Sequence, residues 1–199
     1  ALCLAVVICT AGAGALNASY RIAPGGMSYN ASVEVADATE YLFWDYGPLG
    51  ERIPRPVSNV SLHGTCGNCS FDWTDPFTMN FTKGNYTILY SGDILENHLQ
   101  ETFDVPYRVT IELPQGLDVR DPFLGMRSPG SEVAENGSSL VITWNSTKAF
   151  EVRYYSPDRE RLLLIFGVFW IIGLVLVLIP YLISRRQIAR EKERGRGPP

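Results

Sequence analysis

The hydropathy of the chain changes character twice. Residues 1–16 (ALCLAVVICTAGAGAL) are almost wholly apolar, and residues 17–158 mix polar and apolar positions at short intervals. Leu162–Ile183 (LLLIFGVFWIIGLVLVLIPYLI) then runs without a charged, amide or imidazole side chain. Within the mixed region six runs alternate apolar with polar residues: Tyr29–Val35, Val57–His63, Tyr86–Ser91, Tyr107–Leu113, Leu140–Trp144 and Phe150–Tyr155. A period of two sends successive side chains to opposite faces, so these runs predict strands. Turn-forming clusters separate them: Pro24-Gly25-Gly26, Gly47-Pro48, Lys83-Gly84-Asn85, Pro114-Gln115-Gly116, Ser128-Pro129-Gly130 and Glu135-Asn136-Gly137. The polar stretch Asn97–Asp104 reads as a connector between a first β module (19–96) and a second (104–158). The expected fold class is mainly β: one or two extracytoplasmic β-sandwich-like modules, a C-terminal transmembrane helix, and a leader or N-terminal anchor helix over residues 1–18.

The apolar run at 162–183 predicts a span. At ~1.5 Å rise per residue it exceeds the ~30 Å hydrocarbon core of a bilayer. A buried core helix is the alternative, but such helices rarely run this long without a polar residue. Tyr181 suits an interface, Trp170 sits mid-span, and Pro180 falls in the last turn, where a lost hydrogen bond is cheap. The tail 184–199 carries Arg185, Arg186, Arg190, Lys192, Arg194 and Arg196 against Glu191 and Glu193. Basic residues beside a span stay inside. The tail is therefore expected in the cytoplasm and the bulk of the chain outside. The first segment resembles a signal-peptide core followed by small residues, with loose cleavage sites over Ala15–Ala18, or a retained anchor that would give two spans.

Composition narrows the picture. The 199 residues are 46% hydrophobic and 19% charged, which excludes a disordered chain, a collagen and a disulfide-dense mini-protein. The pI near 5.2 argues against nucleic acid as a partner. Eight of the nine asparagines stand in Asn-x-Ser/Thr: Asn17, Asn30, Asn59, Asn68, Asn80, Asn85, Asn136 and Asn145. That excess over chance predicts an N-glycosylated outer surface. Asn17 would lie close to the membrane if the leader is retained.

Little in the chain points to catalysis. Cys66-Gly67-Asn68-Cys69 allows three readings: a disulfide pinning a loop in an oxidising exterior, a redox pair, or, with His63, three ligands of a metal site. The redox reading lacks a following helix. The metal reading lacks a fourth ligand. Haem attachment would need histidine where Ser70 stands. The carboxylate pairs Asp72/Asp75, Asp118/Asp121 and Glu132/Glu135 fall short of the ~6–8 oxygens calcium takes. Asp75-Pro76-Phe77 and Asp121-Pro122-Phe123 echo one another as a faint sign of duplication. Tyr41–Tyr46 (YLFWDY) is a candidate contact patch. No catalytic residue, metal or cofactor is expected.

From Leu113 the chain resembles a family of uncharacterised archaeal membrane-anchored surface proteins. The matching pieces are Leu113-Pro114, Val119–Gly125 (VRDPFLG), Ser128-Pro129-Gly130, Val141–Trp144, Val152–Tyr155, Leu163–Gly167 and the basic tail. The resemblance covers about 85 residues. It implies a leader, a β ectodomain and one C-terminal span in an archaeal envelope, with no known activity. Some relatives carry a lipidated cysteine in the leader. Here Cys9 follows Val7-Ile8, which does not suit lipidation. The expected function is a non-enzymatic, glycosylated surface protein, structural or accessory to a membrane or envelope assembly. Its expected partners are membrane lipid, other membrane or envelope proteins and N-linked glycans. A thiol or metal protein using His63, Cys66 and Cys69 is the alternative.

Overall fold

The computed structural model describes residues 15–47 and 49–194. Of the leader or anchor expected over residues 1–18, residues 1–14, with Cys3 and Cys9, lie outside the described residues, as does the end of the tail. Two compact units divide at Tyr155: a β unit and a helix.

The strands are β1 (Leu16–Ile22), β2 (Ser28–Leu42), β3 (Trp44–Tyr46), β4 (Arg52–Pro54), β5 (Val57–Gly64), β6 (Gly67–Cys69), β7 (Asp72–Asp75), β8 (Thr78–Asp93), β9 (His98–Leu113), β10 (Met126–Arg127), β11 (Glu132–Asn136) and β12 (Ser139–Arg153). One sheet runs in the order β10-β12-β9-β1-β2-β8-β5-β6, with β11 on β12 and β7 on β8. A separate hairpin pairs β3 with β4.

The four long strands give the sheet its second layer. The β2–β8 register shifts between Val35 and Glu40, and the β9–β12 register shifts between Trp144 and Ala149. Bulges of this kind bend strands sharply. Both ribbons fold there, and their outer halves return over one face of the central strands. The contacts prove the return: the Phe150 ring lies 5.1 Å from Tyr20 of β1, and the Phe43 ring 5.0 Å from Tyr90 of β8. The enclosed core alternates along each strand, with Ala18, Tyr20 and Ile22 of β1 and Val109, Ile111 and Leu113 of β9 fully buried.

Three expectations change. First, residues 16–18 belong to no leader. They open β1, which pairs in parallel with β9 (Leu16↔Tyr107 to Arg21↔Glu112) and antiparallel with β2, and Ala18 is buried. The apolar run hid the strand because Leu16 and Ala18 match both patterns. Second, Asn97–Asp104 is no connector. Its residues from His98 on form the first half of β9, where Thr102 pairs with Ala149 and His98 with Arg153. The strands expected in two modules therefore share one hydrogen-bonded sheet. Third, Lys83-Gly84-Asn85 is a bulge inside β8, with Gly84 opposite Ala38, and Leu140–Trp144 and Phe150–Tyr155 are largely two halves of one bent strand. The hairpin at Gly137 (φ 65°) and the turn at Gly25-Gly26 (φ 98° and 75°) are as expected, since only glycine adopts such angles without strain.

The helix α1 spans Pro157–Arg194. Over Pro157–Ile183 its most apolar 18-residue window has mean hydropathy 3.2 and no buried share, which makes it long and apolar enough to cross a membrane. The helix does not end near Pro180. It runs on through the basic residues to Arg194, so Pro180 is interior and one backbone hydrogen bond is missing there.

Candidate functional site

The outward face of the central strands is polar and open. Register places Asn145, Arg108, Asn17, Glu34 and Thr87 in one row across β12-β9-β1-β2-β8. Arg108 Nη2 donates to Asn145 Oδ1 at 3.3 Å, and Asn17 Nδ2 donates to Glu34 Oε2 at 2.8 Å. Arg21 pairs with Glu112 at 2.8 Å four residues further along, beside Asn30. A shallow groove of about 480 Å³ crosses this face, lined by Ser19, Arg21, Asn30, Ser32, Asn59 and Ser91. Asn17, Asn30, Asn59 and Asn145 thus share one face, and all four are exposed. Asn85 and Asn136 are exposed elsewhere, while Asn80 is half-buried and donates to Thr74.

Cys66 and Cys69 stand at disulfide distance, with Cα atoms 5.5 Å apart, and close the turn between β5 and β6. The register separates His63 from them. Leu62 pairs with Cys69 and His63 with Asn68. Paired residues share a face and neighbours alternate, so Cys69 turns with Leu62 toward the core while His63 turns outward. The His63 ring instead meets Ser61 Oγ at 3.2 Å. Among the described residues no three His, Cys, Asp or Glu side chains converge as metal ligands.

The acidic pairs resolve into turns and ion pairs. Asp75 Oδ1 accepts from Phe77 N–H, and Asp121 Oδ1 from Phe123 N–H, both at 2.8 Å. The Asp-Pro-Phe echo is therefore one local turn used twice, with aspartate bonding the backbone two residues on. Asp118 and Glu135 both hold Arg120.

The aromatic run is not one exposed patch. Phe43 is buried and Tyr41 packs on it at 5.0 Å. Trp44 carries the Arg52 guanidinium 4.2 Å from its ring centroid. Beside this run lies a charge cluster that the sequence did not announce. Arg55 Nε donates to Asp45 Oδ2 at 2.9 Å, and Nη2 donates to Asp45 Oδ1 and to the Gln100 carbonyl at 2.9 Å. Its Nη1 donates to Glu101 Oε2 and to the Tyr29 hydroxyl at 3.4 Å. All five donors of the guanidinium are used. Glu101 also accepts from the Tyr20 hydroxyl at 3.4 Å. Burial pushes the Glu101 carboxyl up to about 7, against the pull of Arg55. Burial likewise pushes the Tyr29 phenol up to about 12 and holds those of Tyr20 and Tyr90 well above the usual phenol range, so they stay protonated donors. With every guanidinium donor committed, Arg55 offers nothing to an incoming anion. It pins the β3–β4 hairpin to β9. The only sequence signal was an arginine between Pro54 and Pro56, and Glu101 was hidden in the supposed connector.

The profile of a family of unknown function, DUF5803, matches residues 73–196, more than half of the chain. No curated protein matches it.

Proposed function

We propose that this chain, which belongs to the DUF5803 family, is a non-enzymatic, membrane-anchored and glycosylated surface protein. Its role is structural or accessory in a membrane or cell-envelope assembly, and the archaeal origin and outward orientation belong to the same proposal. The observation that carries it is the pairing of a polar, sequon-bearing open sheet face with a helix whose apolar stretch is wholly exposed. Such a helix needs lipid or another helix around it. Gly167 and Gly173 have nothing within 4 Å of a built Cβ and leave room for a helical partner's close approach. The basic residues after Ile183 favour the cytoplasmic side.

Purification from native membranes in mild detergent, followed by mass spectrometry of the intact assembly, tests this. The expected result is a chain heavier than its polypeptide, by glycan increments, with further subunits in fixed ratio. A lone chain at polypeptide mass overturns the proposal.

A further inference from the structure

We infer that the end of the β unit from which the chain leaves for α1 is an interfacial membrane contact, with Met27, Leu95 and Phe123 as its lipid-facing tips. The inference rests on the membrane anchoring proposed above. Three connections converge on Tyr154 and Tyr155, the last residues of the β unit. The Tyr154 hydroxyl donates to the Gly26 carbonyl in the β1–β2 turn. The Tyr154 N–H donates to the Asn97 carbonyl at 3.1 Å in the β8–β9 turn, and Ile94 N–H ties that turn to the Met27 carbonyl at 2.8 Å. Asp118 and Tyr155 exchange two backbone hydrogen bonds of 2.9 Å, and Asp121 N–H donates to the Tyr155 hydroxyl at 3.1 Å. The three connections form a collar whose polar backbone is satisfied inward, on two buried tyrosines.

Each connection nevertheless holds one large apolar side chain outside. Met27 is 76% exposed, Leu95 81% and Phe123 88%. Tight turns ordinarily present small polar residues. The contrast with Phe77 is direct: in the same Asp-Pro-Phe turn it packs on the core, whereas Phe123 does not. These side chains are therefore not an unfinished core.

Covalent connection identifies what covers them. Only Ser156 separates Tyr155 from the first residue of α1, and the charged turn Asp158–Arg161 precedes Leu162, where the apolar run begins. At ~1.5 Å per residue, Ser156–Arg161 contributes about 9 Å. The headgroup layer is ~5–8 Å deep on each side of the hydrocarbon. So short a link keeps this end of the β unit within reach of that layer, where large apolar side chains gain from partial insertion. Glu96, Asp118 and Asp121 share the collar with Arg120, which is already paired with Asp118. Uncharged phosphatidylcholine therefore suffices as the surface, without anionic lipid.

The test uses the full chain in phosphatidylcholine nanodiscs, with Cys3→Ser and Cys9→Ser as background. Nitroxide labels are placed singly at Met27→Cys, Leu95→Cys, Phe123→Cys, Val105→Cys and Val175→Cys. Val105 sits on the exposed bend of β9, at the opposite end of the sandwich. The ratio of accessibility to oxygen over a water-soluble nickel chelate is expected to be severalfold higher at the three tips than at Val105→Cys. A lipid-like Val175→Cys with water-like tips overturns the inference and leaves the anchor standing. A water-like Val175→Cys overturns the anchor as well. Tips shielded from both reagents would mean a covering protein, and overturn the lipid contact too.

Discussion

Arg55 is where the energetics of the β unit concentrate. Glu101 faces it in the interior and Asp45, 35% exposed, at the rim, and removing Arg55 is costly because Glu101 stays buried and unpaired. Arg55→Met is expected to cost about 3–5 kcal/mol in chemical denaturation of the β unit. Glu101→Gln should cost less, since it keeps the contact geometry and relieves the excess negative charge. The same pair sets a pH dependence. Glu101 titrates near 7 when folded against an ordinary value of 4.5, so the folded state binds the proton more tightly. Its contribution to stability is greatest below pH 4.5 and is lost as pH rises through 7. A melting series should show this falling component, and Glu101→Gln should flatten it. Trp144 makes the opposite arrangement: its indole N–H is buried without an acceptor, held by packing against Phe150 at 5.7 Å. None of these features was legible in the sequence. Alternation predicts which face a side chain takes, but not that Asp45, Arg55 and Glu101, from three separate segments, will meet.

Strands were legible where the core face alternates strictly, as in Tyr29–Val35 and Tyr107–Leu113, which lie within β2 and β9. They were missed where strands bend, because a bulge breaks the period and admits glycine and polar residues such as Gly84 and Thr147. Short-range chemistry was half legible. The Asp-Pro-Phe echo, read as a trace of duplication, is a local turn used twice, and its aspartate is the part that matters. Asp75→Ala should lower the denaturation midpoint of the β unit slightly through the lost bond to Phe77 N–H. The Cys66–Cys69 closure belongs to the edge hairpin, and the ring it closes is small. Its reduction is expected to cost about 2 kcal/mol or less. Hydrogen exchange should then rise in β6 and the end of β5 while β1 and β9 stay protected.

Two units with a single covalent crossing lead to a simple expectation: the β unit carries its own core and should fold without the helix. A chain ending at Tyr155 should stay in solution after membranes are removed and unfold in one cooperative step, as followed by near-ultraviolet circular dichroism. Loss of cooperativity would show that α1 is part of the fold. The position of β1 bears on how such a chain is made. Its partner β2 follows within a few residues, but the parallel strand on its other side ends at Leu113, close to the middle of the chain. A polypeptide that emerges N-terminus first must therefore hold its future central strand open until more than ninety residues have followed it. Long-range pairing of this kind slows folding. Over that interval Asn17 and Asn30 are presented on extended, accessible backbone, the form in which an enzyme that modifies unfolded chains can reach them. For the glycosylation proposed above, the late closing of one strand would leave time for sugar attachment before the sheet is complete.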